Sequence, residues 1–137
     1  RQILYKSRSR FGSKLIESKK SIMFLKKKLK KVKVLAMVAD QSPNINNRKV
    51  WYDMLNQKTA FYQSVNFIPK LTNSVVYFAS MKREVRGFYS VKFDLISKPP
   101  YDKNTEILLD YVQKIESLIK KRPAEWLWSH KRWKLTQ

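Results

Sequence analysis

No cysteine occurs among the 137 residues, which excludes disulfides and thiolate metal sites and accords with a reducing compartment. Glycine is almost as scarce. Gly12 and Gly87 are the only two, too few for the glycine-rich loop that cradles nucleotide phosphates. His130 is the sole histidine, so a histidine metal cluster is excluded and any imidazole base within these residues has to be this one. No apolar run approaches the roughly 20 residues that span a bilayer. The longest, residues 32–39, is interrupted by Lys33. The opening Arg1-Gln2-Ile3-Leu4-Tyr5-Lys6 has neither an initiator Met nor the pattern of a signal peptide, and reads as an internal position of a longer protein.

What is present is apolar and basic. Hydrophobic residues make up 43% of the chain and aromatic ones 13%, enough to bury a core at this length. Against 10 Asp and Glu stand 30 Lys and Arg, a formal charge of +20. Such an excess implies a polyanionic partner: nucleic acid, an anionic membrane, a phosphorylated lipid or an acidic carrier protein.

Residues 1–10 read as the tail of a basic helix stopped near Gly12. Over residues 19–31, Ile22, Leu25, Leu29 and Val32 recur at helical spacing, and Lys20, Lys26, Lys27, Lys28, Lys30 and Lys31 cover the other face, which predicts an amphipathic cationic helix. The unbroken apolar run of residues 34–39 predicts a strand buried on both faces of a parallel sheet. It ends in Asp40-Gln41-Ser42-Pro43, followed by a polar loop over residues 44–48. Residues 51–62 are aromatic-rich without a clean period, and residues 63–72 read as a helix that Pro69 disturbs. Residues 74–80 read as a second buried strand. Beyond the Gly87 turn, apolar residues alternate over 88–96, as in an antiparallel strand with one wet face near a sheet edge. After Pro99-Pro100, a stripe of Ile107, Leu108, Tyr111, Val112, Ile115, Leu118 and Ile119 predicts a helix, with Asp102 or Asn104 as cap and Pro123 as terminator. With no internal repeat and no low-complexity linker, these elements predict an α/β layer in one partial domain.

Asp40 and Gln41 stand where a buried strand would deliver its carboxyl end, the place where open α/β sheets bind ligands. A carboxylate beside an amide can hold sugar hydroxyls or orient a catalytic group; equally, Asp40 can cap a turn with Gln41 solvated. His130 has basic neighbours in Lys131, Arg132 and Lys134 and no nearby acid, which favours a packed or hydrogen-bonded histidine over a base. Trp126, Trp128 and Trp133, interleaved with basic residues, suit a bilayer headgroup region, a packed core or a nucleic-acid surface.

The ending Pro123-x-Glu125-Trp126-Leu127-Trp128-x-His130-x-Arg132-Trp133-Lys134 resembles the terminal signature of the lauroyl and myristoyl acyltransferases of lipid A synthesis, in the lysophospholipid acyltransferase superfamily. Further likenesses follow in the family's order: Arg10-Phe11-Gly12, Ala39-Asp40-Gln41-x-Pro43, Leu55-Asn56-Gln57-x-Thr59-Ala60-Phe61 and Arg86-Gly87-Phe88-Tyr89.

The resemblance implies a partial glycerolipid-acyltransferase-like domain over residues 1–137, with a central, mostly parallel sheet, an antiparallel edge strand and flanking helices. It implies transfer of a fatty acyl group from acyl carrier protein to a phosphorylated glycolipid acceptor, with no cofactor, at the cytoplasmic face of the bacterial inner membrane. The family's catalytic motif, a His with Asp or Glu at short spacing, has no match here, because Lys134 stands where the acid would follow His130. The dyad and a membrane anchor are therefore expected before Arg1. Resemblance assigns Arg10 to a phosphate or the developing oxyanion, and Asp40 and Gln41 to positioning the acceptor. Lys26, Lys27, Lys28 and Lys30, with Trp126, Trp128, Arg132 and Trp133, are the candidates for contact with carrier protein or membrane. A nucleic-acid-binding module, for which no motif speaks, and a non-catalytic membrane-associated scaffold are the alternatives.

Overall fold

A computed structural model describes residues 2–17, 23–25 and 34–135. The chain divides into two compact units, Arg1–Val34 and Leu35–Gln137. In the first, helix α1 spans Gln2–Ser9, with Lys6 and Arg8 in its last turn, where cations complement the partial negative charge of the helix end. The Ser9 hydroxyl donates to the Tyr5 carbonyl at 2.8 Å. Gly12 stops the turn at φ +82°, its N–H donating to the Ser9 carbonyl at 3.0 Å; this left-handed conformation is open to glycine without steric cost. Of the expected cationic helix over 19–31, only residues 23–25 are described, and they are helical. Lys26, Lys27, Lys28 and Lys30 lie outside the described residues.

Among its described residues the second unit holds two hairpins and two α-helices. β1 (Lys49–Met54) and β2 (Gln57–Tyr62) pair antiparallel, Met54 facing Gln57. Leu55 and Asn56 join them with φ values of 52° and 60°, both positive, the turn whose twist matches that of the flanking strands. α2 (Ser64–Thr72) continues past Pro69. Its end is stapled by the Thr72 hydroxyl, which donates to the Ile68 carbonyl at 2.9 Å, and by Asn73 at φ 51°, a left-handed residue that closes the last turn. β3 (Val76–Val85) and β4 (Phe88–Ser97) form the second antiparallel hairpin, turned at Gly87 (φ +84°), with a register irregularity between Arg83 and Val85. α3 (Ile107–Lys121) follows, then a single 3-10 turn, Pro123–Glu125.

α3 packs against both hairpins. Its stripe of Ile107, Leu108, Val112, Ile115 and Ile119 is buried. All but Ile107 join Ala39, Met54, Phe61, Val65 and Phe78 in one core cluster. Three aromatic contacts knit it: Tyr52 to Phe61 at 6.3 Å, Phe61 to Tyr111 at 6.3 Å and Phe78 to Tyr111 at 5.7 Å, all edge to face. The first N–H of α3 is not capped locally. Ile107 donates to Asn66 Oδ1 of α2 at 3.0 Å, while Asp102 Oδ1 accepts instead from Asn104 N and the Thr105 hydroxyl at 2.9 and 2.8 Å.

The expected α/β layer with a central, mostly parallel sheet is corrected. The described residues contain two separate two-stranded antiparallel sheets, an α+β arrangement, and no parallel pairing. Residues 34–39 form no strand, and Leu35 and Val38 are exposed. An apolar run becomes a buried strand only where neighbours take up its backbone N–H and C=O groups. None of the described strands lies beside this one. The stretch read as a second buried strand, residues 74–80, falls largely within β3, but only Phe78 of it is buried, and its partner is the next strand in sequence, reached through a tight turn.

Candidate functional site

The segment after residue 34 enters the core at Ala39, 4% exposed. Asp40 is then half-buried, Gln41 exposed, and Ser42 and Pro43 buried. Asp40 and Gln41 thus stand at the rim, held between two buried anchors.

The anchor on the far side is the chain's ending. Ser42 N–H donates to His130 Nε2 at 3.0 Å across 88 residues. In this bond Nε2 is the acceptor, which leaves Nδ1 as the nitrogen that carries the ring proton. Two residues on, Arg132 is 2% exposed. Its Nη2 donates to the Ala60 carbonyl at 2.7 Å, and the guanidinium lies 4.5 Å from the centroid of the Phe61 ring, a cation over an aromatic face. Nε and Nη1 are buried without an acceptor among the described residues. Trp133 Nε1 donates to Thr59 Oγ1 at 2.8 Å, and the Thr59 hydroxyl in turn donates to the Gln57 carbonyl at 2.9 Å.

Charge ties the same residues together. Burial lowers the pKa of Arg132, opposed by Tyr111, Asp40 and Tyr62. Burial raises the Tyr111 phenol strongly, the Asp40 charge adds to that rise, and Arg132 counters it. Asp40 is therefore felt by a buried cation and a buried phenol at once.

The structure brings together Asp40, Gln41, His130, Arg132 and Trp133. Arg10 belongs to the first unit, its guanidinium 5.5 Å from the Phe11 ring centroid. Of the expected contact residues, Trp128 is exposed, with its Nε1 donating to the Pro123 carbonyl at 2.7 Å. Trp126 and Trp133 are half-buried against the core, and Arg132 is interior. Sequence reasoning missed Ser42, Thr59 and Tyr111 as part of this cluster. The spacing of His130, Arg132 and Trp133 within the terminal signature was the available signal, but their partners lie 72 to 88 residues away.

A family model described as bacterial lipid A biosynthesis acyltransferase matches residues 1–135. The chain belongs to that family. It is thereby placed among acyltransferases of lipid A biosynthesis, as the terminal signature implied. No curated protein and no solved structure matches it significantly. Among the described residues no group of His, Cys, Asp and Glu could hold a metal ion, and no helix is long and apolar enough to cross a membrane. What this lipid A acyltransferase-family chain offers chemically is a half-buried carboxylate beside an exposed amide, both capable of holding hydroxyl groups.

Proposed function

We propose that these residues form the acceptor-holding part of an O-acyltransferase that moves a fatty acyl group from acyl carrier protein to a phosphorylated lipid A precursor. The observation that carries this is the family match over residues 1–135. The presentation of Asp40 and Gln41 at the rim supports it, since a carboxylate accepts hydrogen bonds from sugar hydroxyls while an amide both donates and accepts. In the reaction the acceptor's hydroxyl oxygen bonds to the thioester carbon, the C–S bond breaks, and the carrier's thiol leaves with the proton. His130 is not the base for that proton, because its Nε2 is committed to Ser42. Arg10 is assigned to a phosphate of the acceptor or to the developing oxyanion. No cofactor is needed for this step.

The net charge of +20 supports action at the cytoplasmic face of the inner membrane, where each basic residue near an anionic leaflet contributes about 1 kcal/mol. An acidic carrier protein is attracted by the same field. Lys26, Lys27, Lys28 and Lys30 are assigned to these contacts, with Trp128 and its exposed neighbour Leu127 at the lipid surface.

The test is acyl transfer from acyl-loaded carrier protein to a phosphorylated disaccharide lipid, by a protein that carries these residues together with the family's His–acid motif. Asp40→Ala is expected to lower the rate by about 100-fold through loss of acceptor orientation. Equal rates for wild type and Asp40→Ala would overturn the assignment, and transfer to no glycolipid at all would overturn the function.

A further inference from the structure

We infer that His130 and Arg132 are positioning residues for the acceptor site: together they clasp the Asp40–Gln41 segment against the hairpin β1–β2 and so set where the acceptor is held. The inference rests on the proposed role of Asp40 and Gln41 and adds what holds them in place.

Three residues of the ending direct their polar atoms inward, each to a different strip of backbone or side chain. His130 takes the N–H of Ser42, two positions beyond Asp40. Arg132 takes the carbonyl of Ala60, and Trp133 takes the hydroxyl of Thr59, on the strand whose Phe61 ring the guanidinium covers. The ending is thus a bridge, one foot on the segment carrying Asp40 and two on β2. Without it, residues 34–43 have no strand pairing to fix them, and the buried side chains of Ala39, Ser42 and Pro43 would be their remaining hold.

Arg132 adds direction. A guanidinium that is 2% exposed and leaves Nε and Nη1 without acceptors is costly to bury unless a counter-charge offsets it. Among carboxylates, Asp40 is the one that acts on it. The geometry of Arg132 fixes the other end of the clasp, on the Ala60 carbonyl and the Phe61 ring, while Asp40 is half-buried and Gln41 exposed at the rim.

The clasp is tested on the chain itself by NMR. Long-range 15N correlation in the wild-type protein is expected to show His130 as the Nδ1–H tautomer with Nε2 unprotonated; a protonated Nε2 would overturn the clasp. Hydrogen exchange at the Ser42 amide is expected to speed up about tenfold in His130→Ala, the size of effect that losing one such bond has. It should return towards the wild-type rate in His130→Gln, whose amide oxygen can accept in place of Nε2. Arg132→Met, of similar length but uncharged, should accelerate exchange at residues 40–42 while amides of α3 such as Val112 and Ile115 keep their protection. Unchanged exchange at Ser42 in both His130→Ala and Arg132→Met would overturn the proposal, as would loss of protection spread evenly over α3. Affinity for a phosphorylated disaccharide lipid is then measured in the same variants. If the segment loosens as expected and that affinity stays at the wild-type value, the clasp stands and the acceptor role of Asp40 fails. If affinity falls about tenfold in His130→Ala and recovers in His130→Gln, both stand.

Discussion

Leu55 and Asn56 sit at φ 52° and 60°, a region that costs an L-residue roughly 1–2 kcal/mol, with asparagine among the best suited of the non-glycine residues. The turn of β1–β2 therefore carries local strain that the hairpin's pairing offsets. Asn56→Gly is expected to raise the melting temperature by a few degrees and Asn56→Val to lower it, a comparison that differential scanning calorimetry resolves. Phe61 bears two loads, as a fully buried core ring and as the surface beneath Arg132. Phe61→Ala should cost about 3–5 kcal/mol in denaturant unfolding, at the upper end because the guanidinium loses its ring as well. Tyr111 supplies the pH dependence. Its phenol is pushed above the ordinary 10.0 by burial first and by Asp40 second, so the folded state holds the proton more tightly than the unfolded chain. The associated stability is complete below about pH 10 and is lost as the pH rises further. Tyr111→Phe keeps the ring and removes the ionisation. The fall in melting temperature above pH 10 should accordingly be shallower in that variant; an identical fall in both proteins would contradict this account.

Elements were legible to different degrees, and the reasons are physical. α3 was readable because seven apolar residues recur at helical spacing before Pro123, and the helix ends at Lys121 as that proline requires. Its cap was not readable. The expected Asp102 or Asn104 lies nearby in sequence, whereas the acceptor used is Asn66, 41 residues away on another helix. Asn66→Ala should lower stability by about 1 kcal/mol, in line with other lost N-terminal caps. The β1–β2 hairpin was hidden because Leu55-Asn56 is not a familiar turn dipeptide and both strands pack an apolar residue where alternation would call for a polar one. Residues 34–39 went wrong in the opposite sense: composition there suits a buried strand, but pairing is a property of neighbours. The β3–β4 hairpin shows the same gap from the other side. Tyr77 faces Leu95, Ala79 faces Phe93 and Met81 faces Val91, an apolar face that stays exposed, Phe93 by 66%. Exposed apolar sheet surface of this kind promotes association. Replacing Val91 and Phe93 with lysine is expected to reduce self-association in analytical ultracentrifugation with little loss of melting temperature.

At the scale of the whole molecule, the charge of +20 governs encounters rather than folding. Binding to anionic vesicles should weaken steeply between low and physiological salt, because attraction between exposed charges fades beyond a screening length of about 8–10 Å. Reversing Lys26, Lys27, Lys28 and Lys30 to glutamate is expected to weaken vesicle and carrier-protein binding at least tenfold in flotation and titration experiments; unchanged binding would refute the assignment of these lysines.

The sequence by itself determined family membership, the excess of basic charge, the helix α3 and the presence of a carboxylate and amide at positions 40 and 41, because each of these is local: a motif, a sum, a period or a residue type. Only the tertiary structure decided that the apolar run before Asp40 is not a strand of a parallel sheet, and that His130, Arg132 and Trp133 of the ending turn inward while Leu127 and Trp128 stay exposed. An arginine looks the same in sequence whether it meets lipid or a buried carbonyl. Its destination depends on which groups 72 and 88 residues upstream lack partners, and burial makes those partnerships obligatory where solvent would leave them optional.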